Sequence, residues 1–208
     1  MPPDSPPGAP SRAIHTSGYE RQAHDFYATP DWVTEALLRH FTPRGTVWEP
    51  CCGTGAIATV LARRAFPVIA SDIADHGHGT PGIDLFACAA MPAGTGALIT
   101  NPPYGDGGAQ RARSRSPTAM LDFLRHTLAL TAAAKAQLAL LVRLQWIAGQ
   151  RAAALIAAAP CTQVIVLTRR IRWFERAAET NQSQHHHAWI TFDHARRRQA
   201  PPAMILAE

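Results

Sequence analysis

Ile99-Thr100-Asn101-Pro102-Pro103-Tyr104-Gly105 is the run with the most chemistry in it. Two consecutive prolines directly after an apolar strand pattern end strand pairing and stiffen the backbone. They hold the Asn101 side-chain oxygen and the Pro102 carbonyl in set directions. Pro103 completes the rigid turn, and Tyr104 offers a flat face to a planar group. Both oxygens can accept from a single NH₂ group. An aromatic or amide nitrogen is a poor nucleophile because its lone pair is delocalised. Two acceptors placed out of its plane draw it toward tetrahedral geometry. They also stabilise the positive charge that develops as a methyl group arrives, and fixed orientation adds to the effect. No general base is needed before such a transfer.

A second set of residues lies upstream, in Val47-Trp48-Glu49-Pro50-Cys51-Cys52-Gly53-Thr54-Gly55-Ala56-Ile57-Ala58. Gly53 and Gly55 permit a tight turn and a close backbone approach to a ligand. The helix that follows presents free N–H groups there. Asp72 ends the next strand pattern, where a carboxylate can accept from both hydroxyls of a ribose. Read as G-x-G-x-x-A, the segment also fits a dinucleotide fingerprint, with NAD as ligand. Glu49 favours a different nucleoside: its carboxylate repels a pyrophosphate and suits the ammonium group of a methionine moiety. Asp84 closes a third short pattern. It could accept from an adenine amino group, with an apolar neighbour such as Leu85 or Ile73 against the ring.

The elements that must position these residues follow from pattern. Of 208 residues, 47% are apolar and 17% charged, which fits one folded domain with a tail. Residues 1–24 hold five of the seventeen prolines in their first ten positions and read as a tail. Residues 25–194 read as one domain and 195–208 as a C-terminal tail. Thr29 reads as a helix N-cap and Pro30 as the first helical residue. Val33, Leu37, Leu38 and Phe41 give that helix one apolar face. Strands are expected over 46–51, 67–73, 83–86, 97–101, 137–144, 164–170 and 188–192. Helices are expected over 55–65, 119–134 and 147–158. This alternation predicts an α/β, Rossmann-like fold with a mostly parallel sheet and helices on both faces. The last two strands, with no helical pattern between them, should form an antiparallel edge hairpin. Ligands in such sheets bind at the carboxyl ends of the strands.

The net charge is +5 with a pI near 9.5, and nineteen of the twenty basic residues are arginine. That balance is compatible with a nucleic-acid partner, and Arg's planar fork suits phosphates. No apolar run is long enough for a membrane span. The first twelve residues lack a secretory pattern, so a cytoplasmic location and no membrane partner are expected. Cys51, Cys52, Cys88 and Cys161 match no zinc spacing and read as free thiols. His185, His186 and His187 are adjacent and cannot all face one ion from an extended strand, so no metal is expected.

Together these residues resemble the class I S-adenosylmethionine-dependent amino-methyltransferases, and among them the N6-adenine DNA methyltransferases of the Asn-Pro-Pro-Tyr type. Phe26-Tyr27-Ala28-Thr29-Pro30 is similar to the N-terminal cofactor segment, Glu49–Gly55 to the cofactor loop, and Asn101–Tyr104 to the catalytic motif. Val142–Trp146, Gly149-Gln150-Arg151 and His187–Ile190 resemble small stand-alone enzymes of phages and prophages. The resemblance covers roughly residues 25–194. It implies S-adenosyl-L-methionine as cofactor. Phe26, Thr29 and Glu49 would flank its methionine end, beside Tyr27, Pro30, Pro50 and Cys51. Gly53 and Gly55 would line its middle, Asp72 with Ile73 would hold the ribose, and Asp84 with Leu85 the adenine. Asn101 would face both cofactor and substrate. Restriction-associated members carry a sizeable target-recognition domain. Here most of the 104 residues after Tyr104 are needed for the sheet.

The implied substrate is adenine in DNA, flipped out of a duplex or presented on a single strand. RNA or a protein glutamine is an alternative with the same chemistry. A non-catalytic protein that binds cofactor or nucleic acid is an alternative of another kind. Two segments could touch nucleic acid: Arg111, Arg113 and Arg115 beside the catalytic motif, and Arg172, Trp173, Phe174 and Arg176, where aromatics interleave with arginine. Arg143 follows a central strand and could join them.

Overall fold

The computed structural model describes residues 28–103, 119–173, 185–196 and 200–208. Phe26, Tyr27, Tyr104, Arg111, Arg113, Arg115, Phe174 and Arg176 lie outside the described residues. The chain order is α1 (Asp31–Leu38), β1 (Thr46–Glu49), α2 (Ala56–Arg63), β2 (Val68–Ala70), β3 (Thr95–Thr100), α3 (Ala119–Ala133), β4 (Gln137–Arg143), α4 (Leu144–Ile147), α5 (Gln150–Ala158), β5 (Cys161–Leu167), β6 (His187–Asp193) and β7 (Ala203–Ala207). The seven strands form one sheet in the order β2-β1-β3-β4-β6-β5-β7. Only β6 runs against its neighbours, pairing antiparallel with β4 and with β5. The α/β, mostly parallel architecture expected from the alternation is therefore the one observed.

Two cores form because side chains alternate along each strand. Val47, Ala97, Ile99, Ala139 and Leu141 point to one face and pack with Val33 and Leu37 of α1 and Ile57 and Leu61 of α2. Trp48, Leu98, Leu138 and Leu140 point to the other and pack with Phe123 and Leu124 of α3 and Ile156 of α5. The central strand β4 is buried on both faces over six of its seven residues, which explains its unbroken apolar spelling. Each fully buried Leu or Ile contributes about 1.5–3 kcal/mol over its exposed state.

Four local expectations are corrected. The first helix starts at Asp31, one residue later than expected. Pro30, not Thr29, is the N-cap, with extended ψ of 144°. The strand expected over 83–86 is a 3-10 turn, Leu85–Ala87, because the Asp84 carboxylate accepts from the Phe86 N–H at 2.9 Å. A local side-chain bond of this kind competes with a sheet ladder. The helix expected over 147–158 is split, since Gly149 is extended at φ −66°, ψ 131° between α4 and α5. Finally, residues 195–208 are not merely a tail, because they include β7, which pairs with β5 outside the antiparallel pair. Its Met204 and Leu206 are exposed. A short edge strand with outward apolar residues has no clear alternating signature. Among the described residues no helix is long and apolar enough to cross a membrane.

Candidate active site

Parallel strands β1, β2 and β3 end on the same side of the sheet, and the loops after them surround one cleft. β1 delivers Glu49 and then turns sharply through Gly53 at φ +52°. The Gly53 N–H donates to Asp72 Oδ2 at 2.8 Å, so the acid after β2 holds the loop after β1. Asp72 Oδ1 accepts from the Ala74 N–H at 3.0 Å. The ring of His76 lies 4.0 Å from the same oxygen and also lines the cleft.

Glu49 is 1% exposed, and its Oε2 has no hydrogen-bond partner. Burial pushes its carboxyl well above the usual carboxylate range; the Ala58 N–H in the first turn of α2 opposes the shift and nearby Asp72 adds to it. A cation placed beside it would reverse that shift. Burial likewise pushes the Cys51 thiol up, with Asp72 adding to the effect, and Cys52 is pushed up to about 12. The four cysteines are free thiols. Those beside the cleft are thus protonated walls, not nucleophiles.

β3 carries the chain to Asn101. Its side-chain Nδ2 donates to Thr29 Oγ1 at 3.1 Å, across 72 residues of sequence. Its Oδ1 is buried and has no partner. Pro102 and Pro103 continue the wall of the cleft. The cleft therefore presents two buried oxygens, Glu49 Oε2 and Asn101 Oδ1, to whatever occupies it.

Thr29, Glu49, Pro50, Cys51, Gly53, Asp72, Ile73, Asp84, Leu85, Asn101, Pro102 and Pro103 line this cleft together. Two expected residues stand apart from it. Pro30 begins α1. Gly55 packs under His78 instead: at φ +81°, a Cβ there would lie 2.3 Å from the His78 ring. The positive φ and the His78 ring each favour glycine at this position. Sequence reasoning missed His76, Phe86 and Phe123. Phe86 stands edge-on to Phe123, with ring centroids 6.0 Å apart. Phe123 belongs to the apolar face of α3 and carries no local signal of a ligand site.

Arg143, Arg172 and Trp173 are outside the cleft but at the same end of the sheet. Arg143 ends β4 and pairs in register with His187 of β6. Trp173 packs edge-on against His187 at 5.4 Å between ring centroids. Arg169 and Arg170 follow β5 at this end, with the Arg169 guanidinium 5.0 Å from the Trp32 ring centroid. Elsewhere the arginines meet acids: Arg63 with Asp31, Arg64 with Glu35, Arg125 with Asp122, and Arg44 with Asp193. Among the described residues, Arg169, Arg170 and Arg172 have no carboxylate within ion-pair distance, and all three are exposed. No group of three or more His, Cys, Asp or Glu among the described residues is arranged to hold a metal ion.

No protein-family model and no curated protein matches the sequence. Solved structures do match in shape. An inferred RNA methyltransferase from Pyrococcus horikoshii superposes with a TM-score of 0.56 at 15% identity, over 82% of this chain and 88% of that one. An inferred class I S-adenosylmethionine-dependent methyltransferase from Listeria monocytogenes gives 0.53 at 15% identity, over 85% and 61%. The modification subunit of an inferred type I restriction enzyme from Vibrio vulnificus gives 0.54 at 14% identity, over 87% and 47%. The chain has the class I methyltransferase fold. It spans less than two thirds of the Listeria and Vibrio proteins. Within the methyltransferase fold the cleft lies where open α/β sheets take ligands, beyond the carboxyl ends of the strands.

Proposed function

We propose that the protein transfers a methyl group from S-adenosyl-L-methionine to the N6 amino group of adenine in DNA. One observation carries the reading: the Asn101 oxygen, directly after β3, is buried, unpartnered and in the wall of the same cleft as Glu49. An acceptor left open there costs about 1–3 kcal/mol of folding free energy. An NH₂ group entering the cleft would recover it.

The residues present fit the cofactor. Glu49, Asp72 and Asp84 bring three acids to the cleft, and among the described residues no Lys or Arg lines it. That charge suits a sulfonium and an ammonium and disfavours a pyrophosphate, which sets the dinucleotide reading aside. Glu49 would hold the ammonium, Asp72 the ribose hydroxyls, and Asp84 with Leu85 and Ile73 the adenine. When bound, S-adenosylmethionine supplies an electrophilic methyl group on a sulfonium. The chain supplies orientation and charge: Asn101 Oδ1 and the Pro102 carbonyl accept from the amine. They hold its lone pair out of conjugation and stabilise the developing positive charge. The proton then leaves to solvent.

Exposed Arg169, Arg170 and Arg172, at the same end of the sheet as the cleft, favour a polyanionic substrate over a protein glutamine. Fold relatives named for DNA modification and for RNA methylation both occur, so the test carries both nucleic acids. Labelled methyl transfer is measured to unmethylated DNA, RNA and protein, with Asn101→Ala as control and products identified by mass. N6-methyladenine in DNA, lost in the variant, is the expected result. Label in RNA or protein would keep the chemistry and replace the substrate. Absence of label everywhere would overturn the reading.

A further inference from the structure

We infer that His126 of α3 is a positioning residue for the base end of the cofactor cleft: it fixes the turn that carries Asp84, Leu85 and Phe86 and thereby sets the preference for an adenine-bearing cofactor. The inference rests on the reading that places the adenine against Asp84 and Leu85. Asp84, Leu85, Phe86 and Phe123 all line the cleft. His126 does not, but it holds two of those residues from outside. Its Nε2 lies 2.8 Å from the Leu85 carbonyl oxygen. A carbonyl has lone pairs and no proton to give, so the polarity of the bond is fixed: the Nε2–H donates and Leu85 accepts. The His126 ring also packs against Phe86, with centroids 5.4 Å apart and planes tilted by 32°.

The turn needs an anchor outside itself. Its own bonds are local: Asp84 Oδ1 accepts from the Phe86 N–H at 2.9 Å, and the Leu85 carbonyl also accepts from the Cys88 N–H at 3.1 Å. Such bonds set the shape of a turn and not its place against the fold, and no strand pairing runs through residues 83–88. Leu85 is buried in the core, but apolar burial is non-directional. Helix α3 supplies the direction. Phe123 and His126 are three residues apart and share one helix face. Phe123 meets Phe86 edge-on at 6.0 Å, His126 packs on the same ring, and the imidazole N–H fixes the backbone beside it. One Asp84 oxygen is already engaged within the turn, so the aim of this carboxylate toward a base depends on where the turn sits. Hydrogen bonds weaken steeply with misalignment, so a loosened turn is read as lost affinity for the base.

The test measures binding of two probes to the full chain: S-adenosylhomocysteine, and S-ribosylhomocysteine, which lacks the base. The readout is the ratio of their Kd values. A variant that is only partly unfolded weakens both equally and leaves the ratio unmoved. His126→Phe keeps a ring beside Phe86 and removes the donor; His126→Gln returns an N–H near the place of Nε2. His126→Phe should weaken S-adenosylhomocysteine about 5- to 10-fold, the scale of one lost hydrogen bond, with S-ribosylhomocysteine within about twofold of wild type. His126→Leu, a second variant without the donor, should move the ratio the same way. His126→Gln should return it to within about twofold. Asp84→Ala is the control for the place of the base and should shrink the ratio as well. A ratio that moves in Asp84→Ala but in neither His126→Phe nor His126→Leu overturns the inference and leaves the adenine placement standing. A His126→Gln protein as impaired as His126→Phe overturns it too, because the donor is then not what matters. A ratio unmoved in Asp84→Ala, or a wild-type chain that binds neither probe, would bring down the reading itself and this inference with it.

Discussion

The two ends of the sheet treat their polar groups in opposite ways. At the amino end, Arg44 grips Asp193 with two bonds of 2.6 and 2.8 Å, and its backbone N–H donates to Gln137 Oε1 at 2.8 Å. The Ala195 N–H adds a third bond to Asp193 at 3.0 Å. Burial alone would push the Asp193 carboxyl up, but Arg44 and the Ala195 N–H outweigh it and hold it below the usual carboxylate range. At the carboxyl end, Glu49 Oε2 and Asn101 Oδ1 are buried with nothing to meet them. One end spends its carboxyl and amide oxygens on cohesion, although the His194 Nε2 there is also buried without a partner. The other keeps acceptors open at a cost in stability. A buried open acceptor is the clearer pointer to function, because folding alone gives no reason to keep it.

Substitutions that separate stability from activity would break or sharpen this contrast. The largest effect is expected at Asn101. Asn101→Ala should lower kcat by about 10²–10³, the scale for losing one preorganised partner of developing charge. Its melting temperature should hold or rise, because an unpaired buried acceptor is removed. A variant that both melts early and turns over normally would place Asn101 in the structural half of the comparison.

Next come the cofactor acids. Asp72→Ala should weaken S-adenosylmethionine binding by about 1.5–3 kcal/mol, roughly 10- to 100-fold, read by calorimetry. Glu49→Gln should weaken binding on a similar scale, about 10-fold or more. It should also stabilise the unliganded protein. The carboxyl is raised in the folded state, so its contribution is fully present below its unfolded value and lost as pH rises. At neutral pH the glutamine removes that burden. A Glu49→Gln protein less stable than wild type at pH 7 would contradict the account.

At the amino end the balance should invert. Asp193→Asn should cost stability by about 1.5–3 kcal/mol in urea titration, with kcat and cofactor Kd unchanged. Because the Asp193 carboxyl is lowered, its contribution is present above the unfolded value and lost as pH falls below it.

The last effect is a slope, small over any single pH unit. Burial, then the charge of Arg143, lowers His187 to about 4 from 6.5. Between those values the unfolded chain binds a proton that the folded chain refuses. Stability should therefore fall with falling pH by about 1.4 kcal/mol per unit through that window. His187→Gln should reduce the slope there and leave the lower, Asp193 window untouched. His185 and His194 are also lowered by burial and keep part of the slope. An unchanged slope in His187→Gln would show that His187 titrates normally.

Sequence alone determined whatever depends on neighbours along the chain. The run of apolar residues before two prolines placed Asn101 at a strand end, because proline cannot continue a ladder. Glu49, the glycine turn and Asp72 were legible together, because each strand end in a parallel sheet points the same way. The alternation of strand and helix patterns sufficed for the fold class. Tertiary structure decided whatever depends on partners far apart in sequence. Thr29 read as a cap and became a partner of Asn101. Gly55 read as a turn glycine, and packing added the His78 ring against it. Asp84 read as a strand end and became the cap of a turn. The open oxygens of Glu49 and Asn101 are facts about which donors stay out of reach. Only three-dimensional packing brings a donor within three ångströms of an acceptor or withholds it, and no local pattern of residues encodes that choice.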